Sequence, residues 1–206
     1  APTRTAPRAS PGSRGVLLAL LLAACGDGSE PDAERAGGTA RMADRLAQLA
    51  SAARPQDDPY LNVERVAMHR ARLAAGGLGL SESVQTEMAL GHDLLVSGQT
   101  DEAVEVFDRV LQRMQGNPAF SKAMRVSVEE LIGTAWLRKG EKDNCILHHG
   151  TESCLLPIQG DGVHDVPEGS RRAAEVYARI LERNPKNVGV QWLLNIAHMT
   201  LGSYPV

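Results

Sequence analysis

Leu90–Pro118, LGHDLLVSGQTDEAVEVFDRVLQRMQGNP, reads as two helices joined by a tight turn. The first begins at Ser81-Glu82 and carries Val84, Met88, Leu90 and Leu94 at helical spacing as far as Gly98. Thr100 or Asp101 caps the second, which carries Ala103, Val106, Phe107, Val110 and Leu111 until Asn117-Pro118 stops it. Gly91 and Ala103 are small, so two antiparallel helices can approach closely there. Leu94 and Phe107 are large enough to fill the space between them, and Gly98 lets the chain turn.

The same pattern recurs downstream. Ile132-Gly133, Trp136 and Gly140 repeat the first helix, and Ala173, Tyr177, Ile180 and Pro185 repeat the second. Gly98 to Ala103 is five positions, whereas Gly140 to Ala173 is 33, so about 28 residues are inserted between the helices of the second pair. Trp192–Leu201 opens a third unit, and Trp136 and Trp192 are expected to be packing residues. The pattern resembles the tetratricopeptide repeat signature. Val110, where a small residue is usual, and a few extra residues before Pro118 depart from it. The resemblance implies an all-α solenoid of stacked helix pairs over 81–206, with an insert at 141–170. Such pairs bury a shared core only by stacking, and about three are needed for stability.

Upstream, Met42, Leu46, Leu49 and Ala50 mark a helix over Ala40–Ala53 that Pro55 closes. Pro59 opens another, with Leu61, Val63, Val66, Met68 and Leu73, ended by Gly76-Gly77. These two helices, over 40–80, are expected to cap one end of the stack. Aromatics make up only 3% of the 206 residues, so the core must rest on aliphatic side chains, which favours close-packed helices over a sheet sandwich. A net charge of −3 offers no basic field for nucleic acid.

Residues 1–15 hold Arg4, Arg8 and Arg14 and no acid, and Val16–Ala24 is an apolar run of nine. That run is too short to span a bilayer, which needs about 20 residues, and reads as a secretory signal. Leu22-Ala23-Ala24-Cys25 resembles a bacterial lipobox, which implies a signal peptide over 1–25, acylation of Cys25 and attachment to the outer membrane or export into the periplasm. Several acyl chains bind a membrane far more firmly than one. Polar residues 26–39 read as a flexible linker. Ala1 and Val206 read as the cut ends of a longer protein.

The insert carries the chemistry-bearing residues. Asn144–His164, NCILHHGTESCLLPIQGDGVH, has two of the three cysteines and three of the six histidines. Cys145 and Cys154 can form a disulfide in an oxidising compartment, closing a loop of about ten residues and contributing roughly 2.5–3 kcal/mol. Alternatively Cys145, His148, His149, Cys154 and His164 offer sulfur and imidazole ligands suited to copper or zinc, although their spacing matches no zinc finger. A third arrangement is a disulfide beside a small polar pocket lined by His149 and His164. Catalysis by Cys145 with His149 lacks an evident orienting acid, so no enzyme is expected. His69, His92 and His198 fall on predicted helices as ordinary solvated or core residues.

The insert and the later stretch WLLNIAHMTLGSYP resemble the N-terminal region of bacterial secreted proteins in which tetratricopeptide repeats precede an FG-GAP β-propeller and an ASPIC/UnbV domain. The resemblance covers about Leu90–Val206 and implies a helical lead-in to a propeller that this chain lacks. The function expected is protein or peptide binding on the concave repeat face. The alternative is metal or small-ligand binding through the insert.

Overall fold

The structure, a computed structural model, describes residues 30–146, 150, 152–153 and 155–205. The described residues are all-helical, with no strand among them. They fall into two compact units, one ending at Ala53 and one running from Arg54.

The first unit contributes α1, Glu30–Ala52. It begins ten residues earlier than the apolar pattern predicts, so most of the expected linker is helical. Pro31 sits in the first turn, where its missing N–H costs no bond. The helix-forming Ala33, Glu34, Arg35 and Ala36 then carry the chain through Gly37-Gly38. Met42, Leu46 and Leu49 share one face, and all three are exposed.

The second unit holds six helices: α2 (Asn62–Ala75), α3 (Leu80–Val96), α4 (Thr100–Met114), α5 (Lys122–Cys145), α6 (Glu168–Arg183) and α7 (Val188–Thr200). Each packs mainly on its neighbours in sequence. Outside the insert, short connections favour that order: α3 passes to α4 through three residues, with Gly98 at φ +80° in the left-handed region that glycine enters without strain. Thr100 is the first helical residue of α4 rather than its cap; Gln99 takes the cap position without a side-chain bond. At the start of α5, Ser121 accepts from the Met124 N–H at 3.2 Å.

The core follows the alternation of small and large residues. A methyl group at Gly91 would stand 2.6 Å from the Phe107 ring, and one at Gly133 would stand 2.5 Å from the Tyr177 ring. Both rings are fully buried, as are Ala103 and Ala173. The two pairs are therefore built alike: α3 against α4, and α5 against α6. Tyr177 differs from Phe107 by a hydroxyl, which finds Thr134 Oγ1 at 3.3 Å. Burial, slightly offset by that bond, pushes the phenol up to about 12.

Trp136 is half-buried, with the Arg172 guanidinium 6.0 Å from its ring centroid. Trp192, expected in the core, is 56% exposed. It lines a groove instead.

At the far end of the α2–α3 contact lies a buried charge cluster. Asp93 is 2% exposed. Its Oδ2 accepts from Arg65 Nε at 3.0 Å and lies 3.1 Å from His69 Nε2. With its amide nitrogen turned inward, Asn62 donates to Oδ1 at 3.2 Å. His69 thus has a specific partner, while His92 is exposed on α3 and His198 lies 2.9 Å from Ser203 Oγ near the end of α7.

Candidate functional site: a groove closed by the insert

The insert is shorter than the sequence predicts. α5 continues through Cys145 and α6 begins at Glu168, leaving 146–167 outside the long helices. Its described part includes a 3-10 turn at Gly160–Gly162.

One side chain fastens both ends. Asn144 Nδ2 donates to the Gly140 carbonyl at 2.8 Å and to the Val166 carbonyl at 3.0 Å. Its Oδ1 accepts from the Val166 N–H at 2.8 Å. A carboxamide offers two donors and two acceptor lone pairs, and Asn144 uses both donors. Beneath it the two helices touch backbone to backbone: a methyl group at Gly169 would meet Gly140 N at 2.4 Å and the Trp136 carbonyl oxygen at 2.7 Å.

The insert also docks on α7. The His164 N–H donates to the Thr200 carbonyl at 2.8 Å. His164 Nδ1 lies 2.9 Å from Ser170 Oγ, which in turn lies 2.8 Å from Thr200 Oγ1. His164 is 8% exposed and Ser170 is fully buried. Burial holds the imidazole below its ordinary value of 6.5, with a smaller opposing push from Glu141. The unfolded chain therefore binds a proton at His164 at a higher pH than the folded chain does. Stability carried by the neutral ring is full above 6.5 and falls as pH drops toward the depressed folded value. Denaturant unfolding from about pH 7 down to about pH 5 should show that loss, and His164→Gln should flatten it. An unchanged slope in the variant would remove His164 as the cause.

Against this framework lies a groove of about 740 Å³. Its walls come from α3, α5 and α7, the first helices of successive pairs: Leu95 and Val96 on α3, Leu137 on α5, and Trp192 and Ile196 on α7. From α4 only Thr100 reaches it, and none of its lining residues is on α6. The insert closes one end with Ile146, Leu156, Ile158 and His164. The lining is mainly apolar, with polar groups from Thr134, Arg138, Glu141, Lys142 and Thr200. Concave apolar surface with a few converging polar groups is what ligand and peptide sites are made of.

Of the five residues expected as metal ligands, Cys145 and His164 both line this groove. His148, His149 and Cys154 lie outside the described residues, as does the expected lipidation site Cys25. Among the described residues no group of three or more His, Cys, Asp or Glu is placed to hold a metal ion. The Cys145–Cys154 pairing likewise involves a residue outside the description. Of the repeat-signature residues, Gly91, Leu94, Ala103, Phe107, Gly133, Ala173 and Tyr177 are buried, and Pro185 is exposed just after α6.

Comparison with known proteins returns nothing: no family model matches the chain, and neither a curated protein nor a solved structure does.

Proposed function

We propose that this chain is an extracytoplasmic, lipid-anchored helical-repeat module of tetratricopeptide type, and that it binds a protein partner in the groove between α3, α5 and α7. The observation that carries this reading is the composition of the groove. Apart from Thr100, its helix-borne walls belong to the first helix of each pair, the face that a stack of helix pairs turns inward, and the insert adds Ile146, Ser153, Leu156, Ile158 and His164. The matched Gly91–Phe107 and Gly133–Tyr177 contacts support the repeat assignment. The likeness to the lead-in of propeller-bearing secreted proteins rests on the residues quoted above alone. The anchor rests on the sequence around Cys25, and acyl-chain labelling that Cys25→Ser leaves unchanged would remove it.

Trp192 is the best handle on the groove, because it is large, exposed and not needed by the core. Immobilised wild-type protein should retain an envelope protein that Trp192→Glu loses by roughly tenfold or more, as expected when an aromatic anchor is replaced by a charge. Far-UV circular dichroism and melting temperature should be the same for both forms. Equal retention by the variant would remove the groove as the docking surface.

A further inference from the structure

Helix α1 carries an apolar stripe that nothing else described in its own unit covers. Met42, Leu46 and Leu49 follow one another at four and three positions, and all three are more than half exposed. Among the described residues of that unit α1 is the only helix, so no second helix shields the stripe there. A helix of 23 residues that contains Gly37-Gly38 is marginal in water by itself, because most helical stability comes from packing an amphipathic face.

The charges on α1 select what covers it. At about 100° per residue, Arg45 falls beside the stripe and Arg41 next to Arg45, whereas Asp44 falls on the opposite side, and all three are exposed. The other acids, Glu30, Asp32 and Glu34, precede Met42 by eight positions or more, about 12 Å along the axis. The stripe is thus edged by arginine alone, whose long stem can follow apolar surface while its guanidinium reaches phosphate. A second copy fits less well. From Met42 to Leu49 the stripe runs about 11 Å, and at a helix width of about 10 Å it offers on the order of 100 Å². A standard protein interface takes about 800 Å² from each partner. A bilayer asks for less, because a chain already tethered to it needs only enough apolar area to lie down. Among the described residues no helix is long and apolar enough to cross a membrane, so the position left for α1 is the interface.

We propose that α1 lies in the headgroup layer of a phospholipid bilayer, with Met42, Leu46 and Leu49 toward the acyl chains and Arg41 and Arg45 on lipid phosphates. The inference rests on the proposed anchor at Cys25, five positions before α1, for what brings the helix to a membrane.

The test holds the full chain on vesicles of phosphatidylcholine and phosphatidylglycerol through an N-terminal hexahistidine tag bound to nickel-chelating lipid, so that tethering does not depend on acylation. Amide hydrogen exchange is then read residue by residue on α1, where binding by residues 1–25 does not count. On vesicles the amides of residues 42–50 should exchange at least roughly tenfold more slowly than in buffer, as fraying is suppressed. Leu46→Glu combined with Leu49→Glu changes two exposed side chains. It should lose that slowing and leave exchange in α2–α7 as in the wild type. Arg41→Gln combined with Arg45→Gln should reduce the slowing by roughly fivefold or more. Exchange at 42–50 that vesicles leave unchanged would overturn the proposal, as would slowing retained by the double glutamate variant. Slow exchange already present in buffer would mean that protein rather than lipid covers the stripe, and would equally overturn it. Acyl labelling of Cys25→Ser decides the anchor separately, so the two readings can fail independently.

Discussion

Gly169→Ala should destabilise the protein by roughly 3 kcal/mol or more and loosen the insert from its seat. Alanine is ordinarily favoured over glycine inside a helix by about 1 kcal/mol, so a small stabilisation would be expected at an open site. Here the added methyl would meet the Gly140 nitrogen at 2.4 Å, its Cα at 2.6 Å and the Trp136 carbonyl at 2.7 Å. All three are backbone atoms of one helix and cannot step aside singly, so α5 and α6 must separate. Gly140→Ala is the control. Its methyl meets Ser170 N and Oγ at 3.2 Å and His164 Nδ1 at 3.3 Å, contacts that a shift of a few tenths of an ångström relieves. Urea unfolding should rank wild type above Gly140→Ala and Gly140→Ala above Gly169→Ala. A wild-type midpoint for Gly169→Ala would show that the two backbones do not meet.

Asp93→Ala should cost about 3 kcal/mol, the lower end of the range for breaking a buried charge pair. The loss comes less from the missing attraction than from the Arg65 charge and the His69 ring nitrogen left facing an empty position. Arg65 and His69 both turn inward toward Asp93. The Arg65 side chain keeps 21% exposure, so water reaches it in part and moderates the penalty. Asp93→Asn keeps an acceptor and should lose about half as much. The effect should concentrate on α2, which meets the rest of the unit chiefly through α3, and amide exchange in Asn62–Ala75 should rise first. Uniform loss of protection across all helices would mean that the cluster serves the whole unit.

The small-to-large alternation was legible because it is written in side-chain volume at helical spacing. Gly91 with Phe107 and Gly133 with Tyr177 meet as that alternation requires. Gly169 was not legible. Its partner Gly140 is 29 positions away across the insert, and nothing local marks a second glycine as a point of helix crossing. Asp93 escaped for another reason: a charged residue beside His92 reads as part of a solvated face until Arg65 is placed opposite it. Trp192 shows the converse error, since an apolar residue at helical spacing announces a surface to be covered but not what covers it. The start of α1 was missed because two adjacent glycines outweighed the helix formers around them. At the groove, Cys145 and His164 were singled out for their chemistry.

Asn144 fixes residues 22 positions apart through a single carboxamide. The free energy of closing the excursion is thereby met at its base, and what lies beyond is a bight whose length hardly matters to the scaffold. Doubling it would add only about 0.6 kcal/mol of closure entropy. The helical framework and the excursion can therefore diverge at different rates, with Asn144 as the hinge pin that lets new sequence be spliced in without re-engineering what carries it.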